Sequence, residues 1–432
     1  MSWKTHYDKV LTTAEEAVKL IKSGDRVGIG LGAGASPALL DAMNKNHKSY
    51  SNVETVGMLP VIKTDYVKPD MAPHFRHNSL FVHASSREVV NGGLGDYTPC
   101  YFYRIPLLFE NELPLDVALI HVSPPDEHGY CSLGISVDYT KAAAEHAKIV
   151  IAQVNKHMPR TLGDCFIHVS KMHCIVEHDE PLFQLPAPKI SDVEKAIGEH
   201  CASLVKDGDC LQLGIGSIPD AVLLFLKDRK DLGIHTEMFS DGVLELFNEG
   251  IINNSKKNFN KGKMIASFLM GSQKFYDFVN DNPAVSMHPV TYTNNPFIAG
   301  QNDNLVSINS CVQVDLLGQV ASETVGATQI SGVGGQVDFV RATAVSKGGR
   351  SIMAMPSTAK GGTISKIVPI LDEGSVVTTG RCDVDCIVTE YGIAHLKNRT
   401  NKERARALIS IADPKFHDEL KAVYKKRFNS DF

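Results

Sequence analysis

Two glutamates stand where a parallel α/β sheet would put a reacting group. The segment DLGIHTEMFSDGVLELF (231–247) places Glu237 at the end of an extended stretch, and Ser240-Asp241-Gly242 then turns the chain. Glu390, in VTEYG, has the same setting. Ligands of parallel sheets sit beyond the carboxyl ends of the strands, where a glutamate can serve as nucleophile or general base. An isolated glutamate is more often solvated or paired, and nothing local chooses between the two. Glycine-rich turns are the second candidate material. In SGVGGQVDFVR (331–341), Gly332, Gly334 and Gly335 free backbone N–H groups that can converge on one oxygen. A turn that needs positive φ would look the same. GIGLGAGASP (28–37) and LGIGSIPDAV (213–222) each follow a strand and open a helix, a setting that attracts anions. Gly30-x-Gly32-x-x-Ala35 even matches a relaxed dinucleotide fingerprint, a motif with many false positives.

Weaker signals lie elsewhere. Cys382-x-x-x-Cys386 with His395 has an allowed zinc spacing but lacks a second ligand pair, so buried thiols are the plainer reading. Lys360, in PSTAKGG between a strand and the helix-like ISKIVPIL, is either a phosphate contact or a solvated lysine. Pro124 to Gly129 reads as a rigid turn, with the lining of a site as the alternative. His83, His128 and Tyr139 are further side chains that could shape a pocket.

The elements that must position these groups are repeated. KSGDRVGIGLG (22–32) and KDGDCLQLGIG (206–216) share Lys, Gly, Asp, Gly and Gly at an offset of 184 residues, from 22 to 206. A second pair, Asp126-x-x-Gly129 and Asp315-x-x-Gly318, follows at an offset of 189, from 126 to 315. Motifs repeated in one order imply two halves of related architecture. The prolines of QLPAPKIS (184–191) mark the join, which gives domains at 1–186 and 187–432. Ser191 and Glu194 fit a capping box for the helix that follows. RVGIGLG, NVETVGML, DVALIHV, KIVIAQV, CLQLGIG, LVSINSC, SIMAMP, SVVTTG and CIVTEYG read as strands, several apolar on both faces as in parallel sheets. Helical patterns at 13–22, 191–206, 219–230 and 401–411 alternate with them, so the fold class is α/β.

Composition bounds the function. The chain has 432 residues, 43% hydrophobic and 22% charged, the profile of a globular protein of two or three domains. A net charge of −5 argues against nucleic acid as the main partner. No apolar run is long enough to span a membrane, and the N-terminus lacks a signal-peptide core. Nine scattered cysteines read as free thiols in a reducing cytoplasm.

Taken together, SPPDEHGYCSLG (123–134), LQLGIGSIPDAV (211–222), HTEMFSDG (235–242), SGVGGQVDF (331–339), MPSTAKGGTISKIVP (355–369) and VTEYGIAHL (388–396) resemble the acetyl-CoA hydrolase/transferase family, in one collinear order from about residue 3 onward. The resemblance implies two tandem related open α/β domains of the CoA-transferase type with the active site between them. It implies transfer of CoA from acetyl-CoA or butyryl-CoA to a short-chain carboxylate such as 4-hydroxybutyrate, with hydrolysis by the same glutamate as the alternative. CoA is then a substrate, and no metal or other cofactor is expected. A homodimer is expected, with neither nucleic acid nor membrane as partner. By the same resemblance Glu237 is the nucleophile, Gly335 belongs to the oxyanion site, and Gly214, Ile215, Gly216, Ser217 and Ile218 form the turn that contacts CoA. Asn294, in YTNNP, and Lys360 are implied as further CoA contacts.

Overall fold

The computed structural model describes residues 2–59, 61–214 and 216–432. It contains two compact units. The first comprises the chain up to Pro186 with Ile265–Thr293, the second Ala187–Met264 with Asn294–Phe432. Residues 265–293, expected in the second half, thus group with the first. The reason is backbone pairing: Ser267 carbonyl oxygen accepts from Val137 (2.9 Å) and Asp138 (3.2 Å), and Met287 N–H donates to Leu162 (2.7 Å). Such long-range bonds leave no local mark in sequence.

The first unit is built on β1 (Arg26–Ile29), β2 (Val53–Met58), β3 (Phe75–Phe81), β4 (Asp96–Tyr97), β5 (Val117–Val122), β6 (Ile149–Val154) and β7 (Cys174–Glu177). Their order is β4-β3-β2-β1-β5-β6-β7, parallel throughout. The second unit has β8 (Cys210–Leu213), β9 (Gly233–Ile234), β10 (Leu305–Ser310), β11 (Arg350–Ala354), β12 (Cys386–Thr389) and β13 (Gly392–His395), in the order β9-β8-β10-β11-β12-β13. Only the β12–β13 pair is antiparallel. All six residues of β5 are buried, as the mostly apolar VALIHV requires of a strand covered on both faces, and the one polar side chain, His121, is hydrogen-bonded to the Ala35 carbonyl.

The repeats are structural. Asp25 Oδ2 accepts from Lys22 N–H at 2.7 Å, and Asp209 Oδ2 accepts from Lys206 N–H at 2.6 Å. Gly24 and Gly208, one residue before each aspartate, have φ of 85° and 79°, where glycine avoids the Cβ penalty. The other pair also matches. Asp126 Oδ1 accepts from His128 and Tyr130, Asp315 Oδ1 accepts from Leu317 and Gln319, and Gly129 and Gly318 both have φ 86°.

Of the helices that matter here, α1 (Pro37–Lys45) follows β1, and α2 (Asp192–Ser203) carries the expected capping box of Ser191 and Glu194. α3 (Ser217–Leu224), α4 (Asp241–Asn248) and α5 (Gln336–Val345) follow in sequence the segments that carry the candidate residues. Two expectations fail. SVVTTG (375–380) forms no strand, only a single bridge from Thr379 to Val320. The helix-like ISKIVPIL instead supplies two short strands, Ile364–Ser365 and Ile367–Val368. Pairing with Thr358–Ala359 and with Gln313–Asp315 overrides the local pattern. Among the described residues no helix is long and apolar enough to cross a membrane.

Candidate active site

Glu237 follows β9, an edge strand paired on one side with β8 through Cys210–Gly233 and Leu211–Ile234. His235 N–H continues the ladder to Leu211 (3.1 Å). The buried Thr236 hydroxyl has the carbonyls of Leu213 (3.0 Å) and Met238 (2.9 Å) as alternative acceptors for its one proton, and it accepts from Leu213 N–H (3.3 Å). These bonds tie the backbone on both sides of Glu237 to the end of β8, where the turn at Gly214 begins. Glu237 itself is half-buried.

Its carboxylate meets two other segments. The buried Asn294 amide donates to Glu237 Oε2 at 2.7 Å and, more weakly, to Asp338 Oδ2 at 3.5 Å. Gly335 lies against both groups: a Cβ there would overlap Glu237 Oε2 and Asn294 Nδ2. This glycine is required by close approach, since its φ of −92° suits any residue. Positive φ falls on Gly334 instead, at 54°. Gly335 caps the ten-residue α5, whose first N–H groups have no partner within the helix and favour negative charge. A carboxylate, an amide donor and a helix N-terminus are therefore brought together from residues 237, 294 and 335. That arrangement can hold a nucleophile and stabilise an oxyanion formed on it.

The second glycine turn is open. Gly216 has φ 115° and is exposed, and a Cβ on it would meet nothing within 4 Å. A Cβ on Gly214 would touch only Pro219 Cγ, at 3.8 Å. A ligand can thus approach this backbone at the N-terminus of α3. Ser217 donates its hydroxyl proton to Glu194 Oε1 on α2, and Ile218 is buried as a core side chain. Ile215 lies outside the described residues. Lys360 is exposed at the tip of the hairpin Thr358–Ala359/Ile364–Ser365, with φ 48°. Among the described residues no hydrogen bond or ion pair joins it to Glu237, Asn294 or Gly335.

The other candidates have structural partners. Glu390 accepts from Ser357 N–H (2.8 Å) and hydroxyl (2.7 Å), and so anchors the PSTAKGG loop. Cys386 Sγ lies 3.3 Å from His395 Nδ1, and burial pushes its thiol up to about 12. Cys382 is exposed, and no group of three or more His, Cys, Asp or Glu among the described residues could hold a metal. Tyr139 is a core side chain bonded to Ile29 and Met58, whereas His128 is exposed. His83 bonds its own loop at Ser85 and Ser86. Sequence reasoning missed Asp338 and the Asn294–Glu237 bond. The only local signal was an acid in the first turn after GG.

Family models match both parts of the chain: the acetyl-CoA hydrolase/transferase N-terminal domain over residues 1–185 and its C-terminal domain over 271–424. The 4-hydroxybutyrate coenzyme A transferase of Clostridium kluyveri is 58% identical over 429 residues, 99% of this chain and 100% of that one. A crystal structure of 4-hydroxybutyrate CoA-transferase from Porphyromonas gingivalis matches with TM-score 0.86 and 45% identity, covering 99% of this chain and 100% of the other. An acetyl-CoA hydrolase of Neurospora crassa is 28% identical over 73% of this chain and 65% of its own length. The chain belongs to the acetyl-CoA hydrolase/transferase family. It is an enzyme of the CoA-transferase type.

Proposed function

We propose that the enzyme moves CoA from a short acyl-CoA, such as acetyl-CoA or butyryl-CoA, to a short-chain carboxylate such as 4-hydroxybutyrate, with Glu237 as covalent nucleophile. The observation that carries this is the Glu237 carboxylate held at 2.7 Å by the Asn294 amide against Gly335 at the start of α5.

A Glu237 oxygen attacks the thioester carbonyl, and the C–S bond breaks to give a mixed anhydride and CoA thiolate. The thiolate then attacks the glutamyl carbonyl. The C–O bond to the former acyl group breaks, releasing its carboxylate and leaving a glutamyl-CoA thioester. An acceptor carboxylate reverses the two steps and frees Glu237. No proton is consumed, and the chemistry is ping-pong. A carboxylate nucleophile suits this exchange because the anhydride retains the activation of the thioester, which a serine ester would lose. The Asn294 amide and the first N–H groups of α5 are the donors available to each tetrahedral oxyanion, each worth about 3–4 kcal/mol in other acyl transfers. The open turn at Gly214 and Gly216 is the proposed seat for CoA. Lys360 is proposed as a phosphate contact from its hairpin tip.

Hydrolysis would need only water at the glutamyl-CoA step, and the high identity to a CoA-transferase favours transfer. An acceptor screen tests the reading: acetyl-CoA or butyryl-CoA is incubated with acetate, butyrate or 4-hydroxybutyrate, and new acyl-CoA is measured against free thiol. Thiol release independent of added carboxylate would replace the transferase reading with hydrolysis. Borohydride reduction after acyl-CoA addition is expected to modify Glu237. The reading also carries a cytoplasmic homodimer, which light scattering of the purified protein and fractionation of its cells would check.

A further inference from the structure

The strand that delivers Glu237 is a two-residue edge strand, and its free side has been closed without a neighbouring strand. In a strand, alternate residues present N–H and C=O to opposite sides. Gly233 and His235 face β8, where Gly233 N–H donates to Asp209 (2.9 Å) and His235 N–H to Leu211 (3.1 Å). Ile234 faces away from the sheet. Its N–H donates to Asn254 Oδ1 (2.9 Å), and its carbonyl accepts from Lys257 Nζ (2.8 Å). Two side chains of one loop therefore complete a ladder position that a further strand would otherwise fill.

The loop is shaped for this task. Leu232 pairs with Ile252, and Asn253 and Asn254 N–H both reach the Leu232 carbonyl. Asn254 sits at φ 57°, a conformation asparagine tolerates better than most residues. Lys257 is 4% exposed. Its ammonium donates also to the Lys263 carbonyl (2.7 Å) and, among the described residues, meets no carboxylate within salt-bridge distance. Burial holds its pKa below the ordinary lysine range. Its stem passes directly beneath Gly233, where a Cβ would come within 2.6 Å of Lys257 Cγ. A buried cation without a counter-charge is costly. What the lysine adds is reach: one donor spans from the loop to the carbonyl three residues before Glu237.

We infer that Lys257, with Asn254, is a positioning residue that clamps the nucleophile-bearing edge strand and so sets the attack geometry of Glu237. The inference rests on Glu237 as the nucleophile. The clamp must matter most when the carboxylate exchanges one covalent partner for another, because a backbone loosened by an ångström misplaces the attacking oxygen.

The test compares Lys257→Met, which keeps the stem and removes the donor, with Lys257→Gln, which keeps a shorter donor, and with Asn254→Ala. For Lys257→Met, kcat for CoA exchange is expected to fall about 10- to 100-fold with KM for acyl-CoA changed by less than about twofold. Amide hydrogen exchange should accelerate at residues 234–238 and stay unchanged in β10. Lys257→Gln should recover part of both effects, and Asn254→Ala should show the same pattern more weakly. If Lys257→Met does not fold, Asn254→Ala, which buries no charge, carries the same expectation. Wild-type kcat in a folded clamp variant would overturn the inference, as would a rise in KM at unchanged kcat or protection lost evenly across the sheet. Glu237→Ala, measured alongside, separates the two ideas: an active Glu237→Ala enzyme removes the nucleophile reading, whereas an inactive one beside a fully active Lys257→Met removes only the clamp.

Discussion

The two halves share a strand, a turn and a helix at one offset, yet they use the turn differently. In the first half the glycines after β1 make room for the chain itself. A Cβ on Gly34 would run into the side chain of Ser136, and one on Gly30 would press on the Gly34 carbonyl at 2.9 Å. In the second half Gly216 faces open space. The neighbouring strand differs as well. By ladder register, Arg26 pairs with Glu54 as Cys210 pairs with Gly233, so Met58 occupies the position of Glu237. Met58 is buried at 4% exposure, and β3 covers the far side of its strand. In the second half no strand of the described residues lies there; Leu232 bridges to Ile252, and the side chains of Asn254 and Lys257 hold Ile234. Duplicated architecture thus supplies two scaffolds, and the reactive site is proposed where the turn is empty and the strand end carries a carboxylate.

The comparison can be broken most sharply at its centre. Glu237→Ala is expected to reduce acyl-CoA/carboxylate exchange by at least about 10⁴-fold, the scale of losing a nucleophile in other covalent enzymes. Its counterpart Met58→Ala should leave exchange per folded molecule intact and cost about 2–5 kcal/mol in denaturant unfolding, as buried methionine truncations do. Gly335→Ala comes next. Its methyl would displace Glu237 and Asn294, and kcat should fall about 100-fold in steady-state assays. The two turns then separate by readout. Gly34→Ala should lower stability by about 1–3 kcal/mol through crowding against Ser136, seen as an earlier melt. Gly216→Ala, strained at φ 115° but unobstructed, should mainly raise KM for acyl-CoA.

The smallest expected effects concern one acid in each half, the buried Asp138 and the half-buried Asp220. Burial pushes Asp138 up to about 6 although it accepts from Ser136, Thr140 and two backbone N–H groups. Asp220, on α3, is pushed up to about 6 by burial and then by Asp241 and Glu245. Both folded-state values exceed the unfolded one. Each acid's stabilising contribution is therefore full below the unfolded carboxyl pKa and is lost as pH rises through about 6. Asp220→Asn should thus raise Tm above pH 6 and change little at pH 4. Asp138→Asn should lower Tm at both, because an amide in place of Oδ2 removes the acceptor that the Ser136 hydroxyl uses. Thermal melts across that range would show the contrast.

Much of this was legible beforehand for identifiable reasons. Period and composition revealed the buried parallel strands. Lys-x-Gly-Asp and Asp-x-x-Gly motifs dictate their own turns through an aspartate that binds backbone N–H groups two to four residues away, and the capping box at Ser191 is equally local. The helical reading of ISKIVPIL failed because Ile364–Ser365 closes a short hairpin with Thr358–Ala359 and Ile367–Val368 pairs with the distant Gln313–Asp315. β3, with the polar residues Arg76, His77 and Asn78, carried no apolar signature.

The sequence by itself therefore determined the class of fold, the doubled scaffold and the short set of residues able to react, since these depend on spacing and side-chain type. Only the tertiary structure distinguished Glu237, beside Asn294 and Gly335, from Glu390, bound to Ser357. It also revealed which glycine turn is empty and which lysine is buried beneath the reacting strand. Each of these depends on atoms brought within a few ångströms of one another from positions tens to more than a hundred residues apart, and no local pattern encodes that proximity.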